Sequence, residues 1–163
     1  MTTLPELPAT LKYLYFEDCP LLTCLPELPA TLTHLICFKC PLLTALPELP
    51  ATLTDLHIEN FISLVELPDL HHTRLTYLNC SDCPLLTWLP ELPITLTLLH
   101  CATCRIAWLP ELPATLTSLY CYDKYFIDKY DYDLLSYNIE RFRNDPKTIE
   151  RREINGVFNI VFK

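Results

Sequence analysis

Three Cys-x-x-Cys pairs, Cys37/Cys40, Cys80/Cys83 and Cys101/Cys104, are the side chains here whose spacing first suggests chemistry. Two such pairs brought together would supply four thiolates for a tetrahedral zinc ion. The company they keep argues otherwise. In alignment with their sequence equivalents, the first Cys of a pair shares its position with Phe16 and Ile58, and the second with Phe61. A position at which Cys, Ile and Phe interchange asks for apolar volume, so these cysteines are expected in the core, without metal. The N-terminus, MTTLPELPATL, has no basic start followed by an apolar run, so neither a secretory leader nor disulfides are expected. Cys24 falls in neither column and is expected to be a free, exposed thiol.

Asp55, His57 and Glu59 alternate, which on an extended strand puts them on one face, like a base between carboxylates. No Ser or Cys nucleophile stands beside them in the pattern, and they are expected to be polar surface residues. His57 and His100 occupy equivalent positions two repeats apart, roughly 10 Å at the strand spacing, too far for one metal ion. His71-His72 reads as loop. Glu6, Glu27, Glu48, Asp69, Glu91 and Glu111 recur once per repeat as an acidic column, expected to aid solubility because cation binding needs converging oxygens. Trp88 and Trp108 share one position and are expected to stack. The sole Gly is Gly156, which leaves no Gly-rich phosphate loop. No catalysis and no cofactor are expected.

The stretch that must position all these residues is LPELPATL. It begins at Leu4, Leu25, Leu46, Leu67, Leu89 and Leu109, in steps of 21, 21, 21, 22 and 20 residues. Four copies are identical, the fifth reads LPELPITL, and the fourth is LPDLHHTRL, with two His for Pro-Ala and Arg74 inserted. A fixed period near twenty residues marks a solenoid. Two prolines in five residues exclude a helix interior, so LPELP is read as an extended, polyproline-like segment. Each copy continues as LxxLx(C/I/F)xx(C/F), the alternation of a half-buried strand.

Together these segments follow L-x-x-L-x-L-x-x-(N/C)-x-L, and residues 4 to about 124 resemble the leucine-rich repeats. The short repeat and its LPELP segment look like the LPX class known from bacterial type III effectors. Near-perfect short repeats of this style are also similar to those encoded by large DNA viruses of protists. The resemblance implies a leucine-rich-repeat solenoid over residues 1–124, with a six-stranded parallel concave sheet and an extended convex side. Residues 125–163 lack LPELP and are expected to form a small mixed α/β C-terminal cap. In it, Leu135, Ile139 and Phe142 fall at helical spacing behind Asp133, Asp145-Pro146 opens a second helix, and VFNIVF follows the Asn155-Gly156 turn as a strand.

The framework repeats while the concave positions differ in every copy, which is the pattern of a recognition array. The resemblance implies protein binding, and the concave columns nominate Tyr13, Tyr15, Phe38, His57, Tyr77, His100, Tyr120 and Tyr122 as partner-binding residues. Residues 1–123 hold four Lys/Arg against thirteen Asp/Glu, a net −9. That balance points to a protein partner with a basic surface, not to nucleic acid or an anionic membrane. The alternative is a self-associating structural protein, a homodimer through the N-terminal edge or the concave face. A cytoplasmic location is expected, the host's for a viral protein or an effector.

Overall fold

The computed structural model describes residues 3–106 and 109–121 in full, and the backbone of Ile149–Ile154 and Val157–Phe162. Six strands form one parallel sheet in sequence order: β1 (Tyr13–Glu17), β2 (His34–Phe38), β3 (Asp55–Glu59), β4 (Tyr77–Asn79), β5 (Leu98–His100) and β6 (Ser118–Tyr120). The register follows the repeat without slippage, Tyr13 opposite His34, Asp55, Tyr77, Leu98 and Ser118 in turn. The fold is thus the expected solenoid, each strand pairing only with its neighbours in the chain.

Alternation decides which side faces in. Leu35, Leu56, Leu78 and Leu99 are fully buried, as are Cys37, Ile58 and Cys80 two residues on, so one face of each strand enters the core. The LPELP segments carry no regular helix or strand and close the opposite side with Leu49 and Leu70. Burying one such Leu is worth roughly 1.5–3 kcal/mol, and the ladder repeats that gain at every turn.

Threonines join the turns. Thr31 Oγ1 lies 2.8 Å from the carbonyls of both Ala9 and Leu11 one repeat earlier, and Thr52 and Thr115 do the same. At the strand entrance, the Thr33 carbonyl accepts from Thr54 N, Asp55 N and Thr54 Oγ1 at 2.8, 3.1 and 3.0 Å. These contacts satisfy carbonyls that the proline-rich turns leave open.

The exits of β1 to β5 are each made by one left-handed residue: Asp18, Lys39, Asn60, Asp82 and Thr103, with φ between 51° and 64°. None is Gly. Asp and Asn tolerate this region; Thr103, being β-branched, is strained there.

Two departures from regularity matter. β4 to β6 have three residues where β1 to β3 have five. At β4 the cause is local: the Asn79 side chain accepts the Ser81 N–H at 3.0 Å and competes with the ladder. In the fourth repeat, Thr73 turns inward and donates to the Leu70 carbonyl, while His72 Nε2–H reaches the Leu49 carbonyl at 2.8 Å. Thr73 thereby leaves the external ladder, and its place is taken in part by the Arg74 N–H, 3.1 Å from the Leu53 carbonyl.

Farther on, β7 (Ile149–Ile154) and β8 (Val157–Phe162) pair antiparallel, so the expected VFNIVF strand is present. The expected helices around Leu135 and Asp145, the Asn155-Gly156 turn and the Trp88–Trp108 stack lie wholly or partly outside the described residues. No helix among the described residues is long and apolar enough to cross a membrane.

Candidate functional site on the concave face

The outward columns of β1 to β6 place the candidate residues side by side. Tyr13 stacks on His34 with ring centroids 4.3 Å apart. From Tyr15 a row of rings crosses the strands: Tyr15 to Phe38 at 6.1 Å, Phe38 to His57 at 4.5 Å and His57 to Tyr77 at 5.8 Å. His100 meets Tyr120 edge to face at 4.2 Å. Seven of the eight nominated residues therefore line one surface; Tyr122 lies outside the described residues. Tyr13 and Tyr15 are 64% and 60% exposed, whereas Phe38, His57, Tyr77, His100 and Tyr120 are half-buried by their neighbours.

Polar groups tie this row to its rim. Tyr15 Oη donates to Glu17 Oε2 at 2.8 Å, and Lys39 Nζ approaches Glu17 Oε1 at 3.1 Å. The Tyr15 hydroxyl and the Lys39 ammonium hold the Glu17 carboxyl below the usual range, while that bond to Glu17 raises the Tyr15 phenol. His57 Nε2 lies 3.1 Å from Glu59 Oε2 and 2.7 Å from Asn79 Nδ2. His100 is held below the ordinary imidazole value by burial first and by the charge of His57 second, against the pull of Glu59.

Strand alternation puts Asn79, Ser81 and Ala102 in the outward columns as well, yet they are only 4%, 8% and 6% exposed. Asn79 is met by the His57 ring of the adjacent strand at 2.7 Å, a contact that alternation alone does not contain. The same reasoning missed an exposed apolar row, Leu21, Leu42 and Leu85, each beside the core residue Leu22, Leu43 or Leu86. The doubled Leu after Pro was the available signal.

Of the six paired cysteines five are buried as interchange with Phe and Ile suggests, and Cys104 is partly exposed. Cys37, Cys40, Cys80, Cys83, Cys101 and Cys121 are buried, and Cys24 is exposed. Burial, with neighbouring thiols, pushes Cys37 well up and Cys40 to about 11, and the hydrogen bond with Cys121, then burial, pushes Cys101 well up. Such thiols stay protonated near neutrality and are poor nucleophiles. Asp69, His71 and His72 of the irregular repeat bring one ligand atom each within 4.8 Å of one another. His71 there donates to Asp69 from both its backbone N–H and its ring, a tight turn in the loop that the sequence suggested.

Comparison with known proteins bears on the architecture. Residues 74–96 match the family model described as Leucine Rich Repeat. The solenoid is similar to the structure of "YopM from Yersinia enterocolitica WA-314", at 28% sequence identity and a TM-score of 0.60. The alignment covers 75% of this chain but 26% of that one, so the likeness extends over about a quarter of the larger protein. No curated protein matches the chain.

Proposed function

We propose that this leucine-rich-repeat solenoid is a non-enzymatic interaction module that seats a protein partner on its concave sheet. The observation that carries the reading is the ring row Tyr15, Phe38, His57 and Tyr77, held on a rigid parallel sheet and open on one side. Aromatic rings fixed in place contribute contact area at small entropic cost, the usual chemistry of an interface anchor. The resemblance to YopM supports a protein-binding role of the same broad kind. The LPELP repeat is read as the LPX class, acting in a cytoplasm, and the acidic repeat body favours a partner with basic character.

Absence of catalysis is part of the reading. Among the described residues no hydroxyl or thiol is hydrogen-bonded to the ring of His57 or His100, and the Thr33 hydroxyl beside His34 Nδ1 already donates to the Lys12 carbonyl, so these imidazoles have no free nucleophile to activate.

Affinity purification from the native cell tests the surface, with wild type compared against a Tyr15→Ala/Tyr77→Ala/Tyr120→Ala variant. Loss of specific partners in a variant that remains folded is expected; partners retained at wild-type yield would move the site elsewhere. The second reading, self-association, draws on the exposed rings of Tyr13 and Tyr15 on the edge strand β1. Light scattering over a concentration series decides it, and a monomer throughout eliminates it.

A further inference from the structure

The concave rim carries two carboxylates that no Lys or Arg among the described residues answers. Glu59 and Asp82 line a depression of about 290 Å³ whose floor includes Asn79 and Ser81 and whose side is His100. Neither carboxylate has a Lys or Arg partner among the described residues; Glu59 meets only His57, and Asp82 Oδ1 accepts from Thr103 Oγ1 at 2.6 Å. Ser81 is 8% exposed, and its hydroxyl has no hydrogen-bond partner among the described residues. A buried hydroxyl left open is costly unless something enters to meet it.

The chain itself shows what fits such a rim. In the first two repeats the ammonium of Lys39 lies 3.1 Å from Glu17 Oε1 and 3.8 Å from Asp18 Oδ1. Glu17 and Glu59 belong to one column, and Asp18, Lys39 and Asp82 to the next. At the position where Asp18 finds Lys39 one repeat later, Asp82 finds Thr103. Lys39 answers the carboxylates of Glu17 and Asp18, whereas among the described residues no Lys or Arg reaches those of Glu59 and Asp82.

We propose that this depression receives the guanidinium of an arginine presented by the protein partner. Two carboxylates and a hydroxyl offer several acceptors to a planar group with five N–H donors, and the half-buried ring of His100 offers a face on which it can stack. Lysine, a compact ammonium, would leave part of that acceptor set unmet. The inference rests on the concave face being the protein-binding surface, and it names the chemistry that the partner must bring.

The test uses the full chain and N-acetyl-arginine amide as the probe, followed by backbone amide NMR. Saturable shifts are expected at Asn79, Ser81 and Asp82, weakening as salt is raised. The citrulline analogue, equal in shape but uncharged, should bind at least roughly tenfold more weakly, as should a Glu59→Gln/Asp82→Asn variant. Lys12→Ala, at the opposite strand entrance, should change neither. Equal response to citrulline, full binding by the double variant, or tight calcium binding at these residues with no response to the arginine probe would each overturn the proposal. Partners that ignore the triple Tyr change while the probe still binds would sink the surface reading alone. The reverse result would sink the arginine pocket alone.

Discussion

Asn79 Nδ2–H donates to His57 Nε2 across 2.7 Å, and this bond joins β3 to β4 at the centre of the concave face. The amide orientation is set from its other end, where Asn79 Oδ1 accepts the Ser81 N–H. His57 Nε2 can accept from Asn79 or donate to Glu59, but one ring nitrogen cannot do both at once. Replacing Asn79 by Ala should therefore leave the buried Ser81 N–H without its acceptor and release His57 to Glu59. The expected cost is about 1–3 kcal/mol, read from the midpoint of urea unfolding. An unchanged midpoint would mean that the amide is not the clamp.

His100 should make the fold sensitive to mild acid. Its pKa is depressed below 6.5, by burial before charge, so the folded protein resists protonating it. The unfolded chain binds that proton first. The contribution to stability is complete above about 6.5 and is lost as pH falls through the lower folded value. His100→Asn should flatten the decline in stability over this window, and the His100 Cε1–H resonance should titrate below the ordinary value. A midpoint at or above it would contradict the burial argument.

Thr103 holds the left-handed turn that Asp18, Lys39, Asn60 and Asp82 make elsewhere, at φ 56°. Thr103→Asn should relieve β-branched strain while keeping a polar side chain near Asp82, a gain of about 1 kcal/mol. Thr103→Val keeps the strain and loses the 2.6 Å bond to Asp82 Oδ1, and it should destabilise by a similar amount. Thermal melts of the two variants should move in opposite directions.

Thiol labelling should rank the nine cysteines by position. With an aromatic disulfide reagent, Cys24 should react fastest in the folded protein. Cys37, Cys80 and Cys101 should react only on unfolding, being buried, with the Cys37 and Cys101 thiols also raised. Rapid labelling of Cys37 would show that its column is open to solvent. Cys37→Val should cost less than Cys37→Ser, because a hydroxyl there is buried among apolar neighbours.

The legible part of this molecule is the part that repeats. Aligning the Leu that closes LPELPATL suffices to place Tyr13 beside His34 and Tyr15 beside Ile36, and so to assemble the concave columns before any coordinates. Illegible were the features that depend on two repeats differing. Asn79 and Ser81 are buried although they stand in outward columns, which the period does not encode. The left-handed column carries no Gly to announce it. The Glu17–Lys39 pair and its open counterpart at Glu59 and Asp82 arise from single substitutions across a repeat boundary, invisible to any count of charge.

Four copies of LPELPATL are identical, so a folding chain has little local reason to prefer its adjacent copy over the next one along. A turn that skipped a neighbour would find the same leucines and the same threonine contacts, with one copy looped out. The fourth repeat breaks that degeneracy. Its extra Arg74 N–H on the Leu53 carbonyl and its His72 on the Leu49 carbonyl cannot be matched by any other copy. The blemish in the pattern thus works as a molecular page number: it tells identical pages apart and lets them bind in one order.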